Sequence, residues 1–303
     1  MKEKDLKLPS YGGQALIEGV LMRGKYALAY AMRSPDGDIV VKTEKLPPIY
    51  SSNFRKIPFL RGLFGLWDAM VLGMRILTES ANMQTGEDEK IEGVSLILTV
   101  LFSLGMSILL FFVLPAVISG LIESWLSFAP WIGSALEGLL RLVFIIVYIW
   151  GVGQVDEIKR VFSYHGSEHK TINAFESDVD LTPENVLASS RLHPRCGTSF
   201  LLSVAVISII IFTIIGPLPM LWRIATRILL IPLIAGIAYE YTRWVADNLE
   251  KKWVMTIAKP NLALQKLTTN EPDKEIVEVA IASFNAMLEL ENREREAREN
   301  NKE

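Results

Sequence analysis

Val94-Ser95-Leu96-Ile97-Leu98-Thr99-Val100-Leu101-Phe102-Ser103-Leu104-Gly105-Met106-Ser107-Ile108-Leu109-Leu110-Phe111-Phe112-Val113-Leu114-Pro115-Ala116-Val117-Ile118-Ser119-Gly120-Leu121-Ile122 carries no charged side chain. A bilayer's hydrocarbon core is about 30 Å thick and is crossed by about 20 helical residues. The run is therefore long enough to span with tilt, or with a kink near Pro115. Working outward, Gly197 to Trp222 is also free of charge, and Ser199 to Ile215 is rich in Ile, Leu and Val. Pro130 to Val152 is interrupted by Glu137 and Arg141, yet Leu142 to Gly151 is strongly apolar. Arg141 must then face other helices or snorkel toward an interface. A fourth, shorter span runs over roughly Arg227 to Tyr241, with Arg223 and Arg227 at one end and Glu240 and Arg243 at the other. These charges read as interfacial anchors; the alternative is a buried functional pair.

Composition agrees. Half of the 303 residues are hydrophobic and only 21% are charged, more apolar surface than a soluble core hides, so lipid is the expected solvent for the rest. The net charge of −3, with basic residues scattered, gives no sign of nucleic-acid binding. One cysteine excludes an intramolecular disulfide framework. The first long apolar segment starts too far in for a secretory signal peptide. Residues 1–93 hold 13 Lys or Arg, 154–196 hold five and 246–303 hold nine, while the connections near 124–129 and 216–221 hold none. Four spans with both termini inside put every basic region in the cytoplasm, as the positive-inside rule asks.

The expected organisation is mainly α: a polytopic helical membrane protein of about four transmembrane helices, with a small cytoplasmic α+β N-terminal region and a cytoplasmic C-terminal helix. Its segments are 1–57 (N-terminal region with a β-hairpin), 58–93 (amphipathic helix and linker), 94–153 (first helix pair), 154–196 (cytoplasmic loop), 197–245 (second helix pair) and 246–303 (C-terminal helical tail). Tyr26 to Met32 and Asp38 to Thr43 read as strands flanking the turn Ser34-Pro35-Asp36-Gly37. Ahead of them lies an apolar stretch, Ala15 to Met22, punctuated by Gly12-Gly13 and Gly19. Phe59 to Leu77 mixes large apolar residues with Arg61, Asp68 and Arg75, the pattern of a helix lying on the membrane or packed under the bundle. Residues 84–92 read as a solvated linker. Thr268-Thr269-Asn270-Glu271-Pro272-Asp273 starts a helix whose apolar face holds Ile276, Val277, Val279, Ala280, Phe284, Met287 and Leu288, with a charged helix end or disordered tail after Leu290.

The chemistry concentrates in Tyr164-His165-Gly166-Ser167-Glu168-His169-Lys170 and His193-Pro194-Arg195-Cys196-Gly197-Thr198. All three histidines and the one cysteine fall within 32 residues. On a helix His165 and His169 share a face with Glu168 beside them, so two imidazoles can chelate one ion while the carboxylate serves as general base toward an activated water. His-x-x-Glu-His is the inverzincin order. His193 and Cys196 add the nitrogen and sulfur donors that zinc takes. Three protein ligands make an open site, whereas all four would close the tetrahedron and make it structural. Glu176, seven residues beyond His169, is an alternative third ligand. The segment follows the second span and leads into the third, within reach of lipid head groups and membrane-anchored peptides or proteins.

Together with Gly12-Gly13-Gln14-Ala15-Leu16-Ile17-Glu18-Gly19-Val20-Leu21-Met22-Arg23-Gly24 and Leu267-Thr268-Thr269-Asn270-Glu271-Pro272, these motifs resemble the bacterial YqhQ-like family of membrane proteins, a domain of unknown function described as a predicted metal-dependent enzyme. Ser167 stands where Ala is expected. The resemblance spans nearly the whole chain and implies a shared fold and a bound metal, without an established reaction. Gln14, Glu18 and Arg23 either support metal-bound histidines from behind or make ordinary loop salt bridges. Lys170 and Arg195 either stabilise an anion or touch lipid head groups.

The leading expectation is a metalloprotein of the bacterial cytoplasmic (plasma) membrane, with hydrolase-like chemistry on a divalent transition metal, zinc by its donors. Glu168 is the base, His165 and His169 are ligands, and His193 or Cys196 is the third. The alternative is a non-enzymatic scaffold or assembly factor with a closed structural site. A transporter comes third, weakened by the lack of paired acidic residues in the two charge-free spans.

Overall fold

A computed structural model of the chain describes residues 11–47, 57–85, 93–126, 130–216 and 218–300. Four short strands, β1 (Gly12–Leu16), β2 (Gly19–Arg23), β3 (Ala27–Arg33) and β4 (Ile39–Lys45), form an antiparallel meander in the order β1-β2-β3-β4. The expected turn joins β3 to β4: Gly37 takes φ +94° and its N–H donates to the Ser34 carbonyl at 2.9 Å. The stretch Ala15 to Met22, read only as apolar and glycine-punctuated, is in fact the β1–β2 hairpin. Helices cover both faces of β2, so its residues from Gly19 to Met22 are all buried and the alternation that marks a half-exposed strand is missing.

One face of the sheet packs on α5 (Asp156–Glu176) and α11 (Lys274–Asn300), with Val20, Met22, Ala29 and Ala31 meeting Tyr164, Ile172, Val279 and Phe284. The opposite face packs on α1 (Leu60–Gln84) through Leu16, Leu28, Met32 and Ile76. The chain beyond Leu290 is helix to Asn300 and not a disordered tail. Buried Glu291 anchors it by accepting the N–H groups of Lys25, Tyr26 and Ala27 at 3.1, 2.7 and 2.9 Å, which closes the β2–β3 turn. The linker read at 84–92 falls largely outside the described residues.

Among the described residues three helices are long and apolar enough to cross a membrane, or four if one bent pair counts as a single span. The first runs from Gly93 to Leu126 as α2 (Gly93–Ile108), a π-helical turn (Leu109–Val113) and α3 (Leu114–Leu126). The second is α4 (Pro130–Val152) and the third α7 (Gly197–Ile215). The charge-free stretch to Trp222 is not one helix: Gly216 stops α7 at φ +77°, which favours glycine, and α8 (Met220–Leu229) begins after Pro219. The fourth segment starts earlier and ends later than Arg227 to Tyr241, as α8 and α9 (Ile231–Asp247) meeting at 47° with Pro232 in the first turn of α9.

Arg227 is no surface anchor. It is 1% exposed and forks onto Glu137, Nε to Oε1 and Nη2 to Oε2, both at 2.8 Å. Arg141 donates Nη2 to Glu137 (3.0 Å), Nη1 to Ser208 Oγ (2.6 Å) and Nε to the Phe111 carbonyl (2.8 Å). Pro115 has no N–H to offer that carbonyl four residues before it, and Arg141 fills the place. The Phe212 ring lies under both guanidiniums, at 4.0 Å from Arg227 and 5.3 Å from Arg141. Arg223 pairs with Glu123 at 2.9 Å near the C-terminus of α3, at the end of the bundle away from the sheet. Trp125, Trp131 and Trp222 are exposed at the same end, and Trp150, Trp244 and Trp253 at the end that meets the sheet.

Candidate metal centre

Where the bundle meets the sheet, α4 passes into α5, and Cys196 caps the start of α7 with its sulfur accepting the Thr198 N–H at 3.4 Å. Asp156 and Glu157 sit in the first turn of α5, where carboxylates complement the helix dipole. Gly166 allows the segment after α10 (Lys252–Gln265) to press directly on α5, since a Cβ there would collide with the Asn270 carbonyl. That approach delivers the Thr268 carbonyl to His165 Nδ1 at 2.8 Å. A carbonyl only accepts, so Nδ1 is the donor there, and in the neutral ring the lone pair belongs to Nε2. His169 repeats the arrangement, with Nδ1 on the Arg191 carbonyl at 2.7 Å. His165 Nε2 lies 3.2 Å from Cys196 Sγ, and one donor atom from each of His165, His169 and Cys196 falls within 4.8 Å of the others. Two aimed imidazoles and one sulfur are a donor set that suits zinc and related divalent ions.

These groups line a cleft of about 100 Å³ together with Gly12, Gly13 and Glu168. Glu168 is 5% exposed, and burial raises its carboxyl to about 7; the nearby His165 and the Gly13 N–H, which donates to the carboxylate, oppose that shift. His193 and Arg195 reach the rim of the cleft, but His193 is not among the three converging donors. Its Nε2 faces Glu176 at 3.5 Å, and Glu176 is ion-paired with Arg195. The Glu176 carboxyl is partly desolvated, which alone would raise it, yet the hydrogen bond from His193 and the charge of Arg195 hold it below its ordinary value. Burial lowers the His193 imidazole, with Glu176 opposing and Arg195 adding to the effect.

The remaining sequence candidates brace the scaffold around the cleft. Lys170, 4% exposed, spends its ammonium on the Leu187 and Ser189 carbonyls (2.9 and 2.7 Å) and on Glu271 (2.9 Å). Glu18 pairs with Arg160 and accepts the Tyr164 hydroxyl at 3.2 Å, tying the β1–β2 hairpin to α5. Arg23 pairs with Asp68 of α1, and Gln14 packs on Gly73 of the same helix, away from the cleft. Sequence reasoning missed Gln265, which is fully buried; its amide accepts the His193 N–H (2.9 Å) and donates to the His193 carbonyl (2.8 Å) and Ser199 Oγ (2.9 Å). It also missed the backbone carbonyls of Thr268 and Arg191. Any residue type supplies a carbonyl, so side-chain identity gave no signal; the only hint was the Leu267–Pro272 motif.

The described residues thus form a helical protein with three or four long apolar helices, a small antiparallel sheet and a His–His–Cys cluster where they join. It belongs to the family described as "Protein of unknown function (DUF1385)", which matches residues 57–290. It is 36% identical over 300 residues to the "Uncharacterized protein YqhQ" of Bacillus subtilis (strain 168), covering 93% of each chain. No solved structure matches it. Neither description names an activity, so the metal-dependent enzyme that the resemblance implies stands as a proposal.

Proposed function

We propose that this chain is an integral membrane metalloprotein whose cytoplasm-facing centre holds one divalent transition metal, zinc by its donors, and performs hydrolase-like chemistry at the membrane surface. The observation that carries the site is the convergence of one donor atom each from His165, His169 and Cys196 within 4.8 Å, with the Nδ1 of each imidazole held by a backbone carbonyl and His165 Nε2 at 3.2 Å from Cys196 Sγ. His165, His169 and Cys196 would hold the ion, which would polarise a carbonyl and acidify a water there. Three donors leave a coordination position for substrate. The scaffold alternative needs a fourth protein donor, and His193 is turned to Glu176 instead. Glu168, buried at the cleft wall, takes the proton from the attacking water and returns it to the leaving group. Gly12 and Gly13 leave the approach free of side chains.

Membrane insertion is supported by the apolar helices and by tryptophan at both ends of the bundle. Trp131 and Trp150 are nineteen residues apart on α4, about 28 Å along the axis, close to the thickness of a hydrocarbon core. The distribution of basic residues favours an orientation with the sheet and the cleft on the cytoplasmic side of a bacterial plasma membrane, where lipids and membrane-anchored peptides or proteins would be the partners. Elemental analysis of metal-replete protein tests the centre. We expect about one ion per chain, lost in His165→Ala and His169→Ala, and retained in Glu168→Gln while rescue of a deletion strain fails. Less than about a tenth of an ion per chain rules out the centre; full rescue by metal-bearing Glu168→Gln rules out the base.

A further inference from the structure

The β1 strand lies at one edge of the sheet, and the hydrogen-bond parity of its neighbours shows which of its backbone groups face outward. Gly24 N–H donates to the Ala27 carbonyl at 2.9 Å and Arg33 N–H to the Glu18 carbonyl at 2.7 Å. Even-numbered residues of β2 and its flanks therefore bond toward β3, and odd-numbered ones toward β1. The β1 partners of Gly19, Leu21 and Arg23 are Leu16, Gln14 and Gly12. The N–H and C=O groups of Gly13 and Ala15 consequently point away from the sheet, and among the described residues no strand lies on that side. The Gly13 N–H confirms the direction, since it reaches Glu168 of the cleft.

The two edges of the sheet are built differently. The β4 strand carries Lys42, Glu44 and Lys45, the charges with which proteins blunt an edge against pairing. The β1 strand is Gly-Gly-Gln-Ala-Leu, without a charge. A Cβ placed on Gly12 would meet nothing within 4 Å, so another backbone can come close there. With the Gly13 N–H bonded to Glu168, the edge offers the Gly13 carbonyl and the N–H and carbonyl of Ala15, about 7 Å further along, a repeat matched by the main chain of an extended polypeptide.

Given the metal centre proposed above, on which this inference rests, we infer that its substrate is a polypeptide bound in extended conformation along the Gly13–Ala15 edge of β1. The added strand carries one peptide carbonyl into the cleft beside His165, His169 and Cys196. With about 100 Å³ available, the residue seated there has a small side chain, such as Gly, Ala or Ser. The reaction is hydrolysis: the water oxygen bonds to the carbonyl carbon and the C–N bond breaks. One water proton passes by way of Glu168 to the leaving nitrogen and the second follows from the new carboxyl group, giving an ammonium and a carboxylate with no change in oxidation state.

The test uses full-length, zinc-loaded protein in nanodiscs with two probes, acetohydroxamate and an N-acetyl-trialanine hydroxamate. We expect the peptidyl probe to bind at least about tenfold more tightly, which is about 1.4 kcal/mol. N-methylation of one backbone amide should erase that gain. Hydrogen exchange at the Ala15 amide should slow with the peptidyl probe and not with acetohydroxamate. Ala15→Pro removes an outward N–H while sparing the bonds to β2, and should abolish the gain without lowering the melting temperature. Equal binding of the two probes, with no N-methyl position mattering, overturns the edge assignment while leaving the metal centre intact. If neither hydroxamate binds because no metal is held, the centre fails. The edge is then read from N-acetyl-tetraalanine amide alone, at millimolar concentration, and absence of protection at Ala15 overturns it too.

Discussion

Replacing Glu137 by leucine should be the most destabilising single change in the helical bundle, and charge arithmetic gives the reason. The buried group comprises one carboxylate and two guanidiniums, each 1–2% exposed. Glu137 accepts three charge-assisted hydrogen bonds, two from Arg227 and one from Arg141. Glu137→Leu leaves two like charges in a dry site, and breaking a buried pair from one side costs about 3–5 kcal/mol. Arg227→Met instead leaves Glu137 paired with Arg141, a neutral couple that keeps the Ser208 and Phe111 contacts. Its cost should be no more than about 1–2 kcal/mol, since an apolar group of similar volume removes charge and partner demand together. Unfolding by SDS titration in mixed micelles, followed by circular dichroism, compares the two variants with wild type. The reasoning is refuted if Glu137→Leu falls within about 0.5 kcal/mol of wild type, or if Arg227→Met costs more than Glu137→Leu.

Gln265→Leu strands the His193 N–H and carbonyl and the Ser199 hydroxyl. It should cost about 1–3 kcal/mol and weaken zinc about tenfold by loosening the 190–196 segment, as read by chelator competition. Burial lifts Glu168 from 4.5 to about 7, so between those values the folded, metal-free protein holds a proton that the unfolded chain has released. The contribution of this group is therefore fully present below about pH 4.5 and lost as pH rises through 7, a fall of about 3 kcal/mol that Glu168→Gln should remove. Melting curves in chelator at pH 4.5 and 7.5 check it, and an equal fall in both proteins contradicts the assignment. Single cysteines placed at 90, 180 and 295 in a Cys196→Ser background should resist impermeant thiol reagents in intact cells; labelling of any one breaks the both-termini-inside topology.

The sequence alone determined the long apolar helices, the β3–β4 hairpin and the clustering of His165, Glu168, His169, His193 and Cys196. These follow from local properties: uninterrupted hydrophobicity, turn chemistry at Ser34 to Gly37, and helical spacing of four between two histidines. Tertiary structure decided what local pattern cannot carry. The β1–β2 hairpin was hidden because helices bury β2 on both faces. The meaning of Arg141 and Arg227 depended on which helix faced Glu137 across 90 residues of chain. Three of the four candidate donors converge because backbone carbonyls from distant segments orient the two imidazoles, whereas Glu176 engages His193. A backbone carbonyl has no residue identity, and a neighbour's direction is set only when the chain closes on itself. Sequence could therefore name the ligands, but their aim belongs to the fold.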